Sequence, residues 1–275
     1  MLRRLATTAI ASVAVLSVTA VPASALTGGS FADDVNAPAV EKDAVVRIHL
    51  LTDNNMISEC TGTAISPEWV ITAQHCLHGF AGGGEVTVGQ GQGTKFQVNY
   101  VEAAPSGDVG MVHVTGDMGL KNYPEINFGA VQPGTQARGY GWSSLGDGKS
   151  GRLPTLDLTV REQARNPQYP DSEAYLTTST LPARLQQGDS GGPLFVGGRI
   201  AGVLSLGISD GWVPVEYSGA YMHAKAQGQE GWIRGLMGTT RNEAPRAVPD
   251  DEPVVQVPLP ELPDDGEIVD IIGKR

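Results

Sequence analysis

Short apolar runs separated by turn residues set the rhythm of this chain. Val45-Val46-Arg47-Ile48-His49-Leu50-Leu51 is rich in β-branched residues and reads as a strand, with His49 on the same face as Arg47 and so a solvated side chain. Asp53-Asn54-Asn55 is a turn. Cys60 to Ile65 and Trp69 to Ala73 read as two strands around Ser66-Pro67-Glu68, and the second runs straight into Gln74-His75-Cys76. Gly82-Gly83-Gly84 reads as a loop, with short strands after it at 86–88, 96–101 and 109–114. From Gly116 to Pro133 the punctuation by Gly, Pro and Asn predicts an irregular crossing between two halves. The second half opens at Ala137-Arg138-Gly139-Tyr140-Gly141-Trp142, and further strands are expected at 156–160, 174–177, 194–196, 199–205 and 219–222. Many short strands with turns between them indicate an all-β barrel or sandwich. Gln229 to Met237 carries Trp232, Ile233, Leu236 and Met237 at helical spacing, which predicts one short helix.

The two ends have a different character. Residues 1–25 read as a secretory signal: Arg3 and Arg4, an apolar run from Leu5 to Val21, and the cleavage pattern Ala23-Ser24-Ala25. Residues 241–275 are acidic, rich in proline and without aromatics, a composition that cannot bury a core. That tail is expected to be disordered, a spacer or a segment that contacts a partner or the cell envelope. The body is expected to span residues 26–240 as one domain.

Composition narrows the class. Gly is abundant at 36 residues and charged residues make up only 18%, which suits a turn-rich β protein. A formal net charge of −11 argues against a nucleic-acid partner. No segment after the signal is long and apolar enough for a membrane span. The two cysteines, Cys60 and Cys76, suggest a disulfide in an exported protein. Two cysteines with one neighbouring histidine are too few ligands for structural zinc, so neither a metal nor another cofactor is expected.

The chemistry concentrates in Gln187-Gly188-Asp189-Ser190-Gly191-Gly192-Pro193-Leu194. Its glycines allow a tight turn that can aim consecutive N–H groups at one point, as a developing oxyanion requires. The octapeptide resembles the nucleophile loop of the chymotrypsin/trypsin family of serine proteases. Ile71 to Cys76 resembles the family's histidine motif, with Gln74 where alanine is usual. Asp108-Val109-Gly110-Met111-Val112 resembles its aspartate entering an apolar strand, whereas Asp117 and Asp147 sit in loops. His49, His78, His113 and His223 lack such context and are expected to be structural.

The resemblance implies two six-stranded antiparallel β-barrels with the site in the cleft between them. It implies a secreted serine endopeptidase acting on proteins or peptides through an acyl-enzyme, with Ser190 as nucleophile, His75 as base and Asp108 as its orienting acid. Gly188 and Ser190 would supply the oxyanion-hole N–H groups. Ser205-Leu206-Gly207 resembles the family segment that pairs with substrate backbone, with Leu206 in place of tryptophan. The family's new N-terminus, whose ammonium pairs with the acid before the serine, would be Leu26, directly after the cleavage pattern, paired with Asp189. Arg184 occupies the position six residues before the nucleophile, so it either lines the base of the specificity pocket or points to solvent; Asp210 or Glu216 are the alternatives for the pocket. Two other readings remain: a protease-fold binding protein without catalysis, and an esterase. The esterase would need a helix after Ser190, where the sequence reads as strand.

Overall fold

The computed structural model describes residues 26, 28–179, 184–185, 187–208 and 219–238. The expected signal at 1–25, the tail at 241–275, and Asp210 and Glu216 lie outside the described residues. The chain starts with β1 (Ser30–Phe31) and one helical turn, α1 (Ala39–Lys42). Six strands follow: β2 (Val45–Thr52), β3 (Ile57–Ala64), β4 (Trp69–Thr72), β5 (Phe80–Val88), β6 (Thr94–Ala103) and β7 (Gly110–Val114). They close into an antiparallel barrel in the order β2-β3-β4-β7-β6-β5. In β2 the period-two pattern holds: Val46, Ile48 and Leu50 are buried while Arg47 and His49 are half-exposed.

Gly82-Gly83-Gly84 lies inside β5, not in a loop. A Cβ on Gly84 would stand 2.5 Å from the His49 carbonyl oxygen and 2.9 Å from Leu50 Cδ2. The missing side chain therefore lets β5 close against β2, where the ladder shifts register beside Leu51.

Residues 115–135 then cross without a strand, touching the second half through an isolated parallel bridge between Ile126 and Ile200. The second barrel is built from β8 (Gln136–Tyr140), β9 (Pro154–Arg165), β10 (Glu173–Ser179), β11 (Pro193–Val196), β12 (Arg199–Ile208) and β13 (Gly219–Lys225). Its order is β9-β10-β13-β12-β11-β8; a β8–β9 pairing closes it, and β1 joins the outer edge of β9. The protein is thus two six-stranded antiparallel barrels.

The final helix, α2 (Glu230–Met237), buries Ile233 and Leu236, and Trp232 packs beside them. Trp232 Nε1 donates to Glu102 Oε1 on β6 at 3.2 Å, tying the helix to the first barrel. Met237, expected in the apolar stripe, is instead 39% exposed because it lies beyond the edge of that face. Among the described residues no helix is long and apolar enough to cross a membrane.

Candidate active site

Strand register brings the histidine and the aspartate together. β4 pairs antiparallel with β7, with Thr72 opposite Gly110. The residues just after β4 therefore lie beside those just before β7. The chain leaves β4 through Ala73 and enters a 3-10 turn at Gln74–Leu77. Gly110 makes this approach possible, since a Cβ there would stand 2.6 Å from Leu77 Cδ1. Asp108 is fully buried; it accepts the His75 backbone N–H at 2.9 Å through Oδ1 and lies 2.8 Å from His75 Nδ1 through Oδ2. An ionised carboxylate only accepts, so His75 carries its proton on Nδ1 and leaves Nε2 as an acceptor.

Ser205 Oγ adds a third bond to Asp108, donating to Oδ2 at 2.6 Å. Burial raises the Asp108 pKa, but the His75 charge and these hydrogen bonds outweigh it and hold the carboxyl below its usual range. Burial likewise pulls His75 down, and the Asp108 charge and hydrogen bond outweigh that too, leaving the imidazole above its ordinary value.

The serine loop is locked onto the first barrel by Thr61, the residue after Cys60. Thr61 N–H donates to the Ser190 carbonyl at 2.8 Å, and Thr61 Oγ1 donates to the Gly188 carbonyl at 2.9 Å. Thr72 Oγ1 in turn donates to the Thr61 carbonyl at 2.8 Å. On the other side Gly191 N–H donates to the Leu204 carbonyl at 2.8 Å. Gly188 and Gly191 have φ of 94° and 78°, the left-handed region that favours glycine. A Cβ on Gly191 would run into Thr72 Oγ1 and the Thr61 carbonyl. The Cys60–Cys76 disulfide forms as expected and crosslinks β3 to the turn that carries His75. Cys76 Sγ lies 3.7 Å from the Ser190 carbonyl oxygen, so the serine loop and the histidine turn are neighbours. Sulfur and nitrogen atoms of Cys60, Cys76 and His75 lie within 4.8 Å of one another, but both sulfurs are bonded to each other.

Leu26 and Asp189 also meet. Both are fully buried, and Leu26 N lies 3.1 Å from Asp189 Oδ2. Asp189 Oδ1 accepts Ser143 N–H at 3.0 Å. Gly141 leaves the space, because a Cβ there would overlap the Asp189 carboxylate.

Ser205 is buried and its hydroxyl donates to Asp108. Gly207 is exposed. Arg184 is exposed while Leu185 is buried in the core of the second barrel. Of the two readings open for Arg184, its exposure accords with the one that points to solvent. The other histidines have structural environments where their contacts are defined. His113 Nδ1 meets Asn99 Oδ1 at 2.6 Å and its ring packs edge-on against Trp69. His223 is buried, and burial pushes it down to about 3. Thr61, Thr72 and Asn166 were invisible as site residues in the sequence; the one available signal was the position of Thr61 beside Cys60.

Comparison with known proteins agrees with this geometry. The family profile described as Trypsin matches residues 36–225. An uncharacterised peptidase of Corynebacterium glutamicum is 34% identical over 194 residues, covering 69% of this chain and 65% of that protein, so the match spans just under two thirds of the relative's length. Serine protease 1 of Drosophila melanogaster is 28% identical over 230 residues, covering 73% of this chain and 84% of that protein. A protease of M. tuberculosis solved in its active form superposes with a TM-score of 0.58 at 23% identity, covering 86% of this chain and 96% of that one. Human heparin binding protein superposes at 0.60 with 18% identity, covering 79% and 99%; these two likenesses concern the fold. On the extent of the profile match, with the barrels and loops it predicts, the chain belongs to the trypsin family.

Proposed function

We propose that this protein is an exported serine endopeptidase that cleaves proteins or peptides, with residues 26–240 as its catalytic domain, 1–25 as an export signal and 241–275 as an appended tail. The carrying observation is the Asp108–His75 pair, held by two hydrogen bonds with the Nε2 side of the imidazole left as an acceptor. Ser190 attacks the scissile carbonyl as His75 takes its proton; the tetrahedral intermediate collapses as His75 returns that proton to the leaving amine. Water repeats the sequence on the acyl-enzyme. Asp108 holds the tautomer and stabilises the imidazolium. Gly188 and Ser190 N–H groups are assigned to the oxyanion, where losing one donor costs about a hundredfold to a thousandfold in rate.

Substrate backbone is assigned to β12 at Ser205–Gly207. β11 pairs with β12 only as far as Pro193 opposite Val203, so the ladder on that side ends before this stretch among the described residues. An extended peptide can add there as a strand.

Fluorophosphonate labelling tests the reading and separates it from a binding protein of the same fold. The probe is expected on Ser190, and Ser190→Ala is expected to lose both label and turnover, the latter by about a millionfold if the three residues act as a unit. An unlabelled folded protein, or appreciable turnover by Ser190→Ala, would sink it.

A further inference from the structure

We propose that Asn166 is a positioning residue for this reaction, acting through Ser205 to fix how Asp108 holds His75. The inference rests on the assignment of His75 and Asp108 just made. Asn166 directly follows β9, and it is 1% exposed. Its Oδ1 accepts the Gln168 backbone N–H at 3.0 Å, which sets the amide orientation. Nδ2 is thereby directed at Ser205 Oγ, to which it donates at 2.7 Å.

The consequence lies in the proton of Ser205. A hydroxyl has one proton, and an amide NH2 can only donate. With a lone pair of Ser205 occupied by Asn166, its O–H is left for Asp108 Oδ2, the oxygen that also faces His75 Nδ1. The backbone prepares this arrangement. β12 shifts register against β13 between Leu204 and Leu206, so Ser205 is the extra residue of a bulge. Bulges re-aim single side chains, and this one brings Ser205 to Asp108. A relay thus runs Asn166–Ser205–Asp108–His75; its first two bonds are buried and the last is partly buried, a setting in which such bonds reinforce one another.

The charge acting on His75 is that of Asp108, and the charge acting on Asp108 is that of His75. Weakening the Ser205 bond leaves Asp108 with one poorer donor and a firmer hold on the imidazolium.

The test is a cycle of Asn166→Leu and Ser205→Ala in the full protein, read as kcat, KM and the pH profile. Asn166→Leu is expected to lower kcat about tenfold with KM within about twofold, and to move the acid limb upward. In the Ser205→Ala background the same substitution should cost less than about twofold, because there is no hydroxyl left to orient. Equal losses in both backgrounds, or an unmoved acid limb, would reduce Asn166 to a structural residue and overturn the proposal. Asn166→Asp keeps the shape and the Gln168 bond, but as a carboxylate it accepts the Ser205 proton. Its kcat loss must exceed about tenfold, and wild-type kcat in this variant overturns the proposal even if Asn166→Leu does not fold. Turnover by Ser190→Ala would instead remove the reading beneath it.

Discussion

Leu26 N lies 3.1 Å from Asp189 Oδ2, although the two residues are 163 positions apart. Within an uncut chain that nitrogen is an amide and donates one neutral hydrogen bond. Cleavage after Ala25 would make it an ammonium facing a fully buried carboxylate, one residue before the proposed nucleophile. Signal cleavage itself would then complete the site. The secreted protein is expected to begin at Leu26 on N-terminal sequencing. Leaving one side of a buried ion pair unmatched costs about 3–5 kcal/mol, so a form with residues retained before Leu26 should lose activity by more than about a hundredfold. Full activity in such a form would rule this out.

The His75–Asp108 pair predicts a pH dependence with opposite signs for rate and stability. The base must be neutral to act, so kcat/KM should rise with pH through a value above the ordinary histidine pKa of about 6.5. For stability, a raised folded-state pKa means that protonated His75 favours the folded state. That contribution is fully present below about pH 6.5 and is lost as pH rises through the higher folded value. Asp108 runs the other way, its contribution present above about pH 3.9 and lost as pH falls through its lowered value. Rate profiles and melting curves across pH check both. An acid limb below the ordinary histidine value would contradict the assignment.

Gly191→Ala should damage site and stability together. The φ of 78° alone costs roughly 1–2 kcal/mol for a residue with a Cβ. The added carbon also meets Thr72 Oγ1 and the Thr61 carbonyl, the bonds that seat Ser190. Gly197→Ala is the matched control, since φ is 57° there and the space around it is open. The expected outcome is a modest fall in melting temperature for the control, and a larger fall with loss of turnover for Gly191→Ala. Similar behaviour of the two variants would show that the collision is relieved cheaply.

Replacing Cys60 and Cys76 by alanine opens a loop with a sequence separation of 16. The chain-entropy model gives about 3 kcal/mol for a loop of this size, or roughly 6–12 °C in a domain of this length. Activity should fall further than stability alone explains at temperatures where the variant is folded, because the bond anchors the turn carrying His75. Calorimetry beside kcat at low temperature separates the two effects.

What the sequence alone determined here is local. β-Branched residues marked β2, glycine marked the serine turn, and helical spacing marked α2, because each depends on residues within one short segment. The His75, Asp108 and Ser190 motifs were legible for the same reason, each carried within one short segment. The tertiary structure decided the rest. The Gly82–Gly84 run became strand because β2 needed close approach, a demand made by His49 and Leu50, more than thirty positions earlier. Arg184 had two open readings because alternation has two phases and only the finished barrel chooses which faces in; there Arg184 is exposed and Leu185 buried. Ser205 reaches Asp108 through a bulge, a shift between two strands that neither strand's own pattern records. Asn166 meets Ser205 from 39 residues away and Ser205 meets Asp108 from 97. Hydrogen bonds of that span are selected by register and burial after the barrels close, which is why no single segment of the chain announces them.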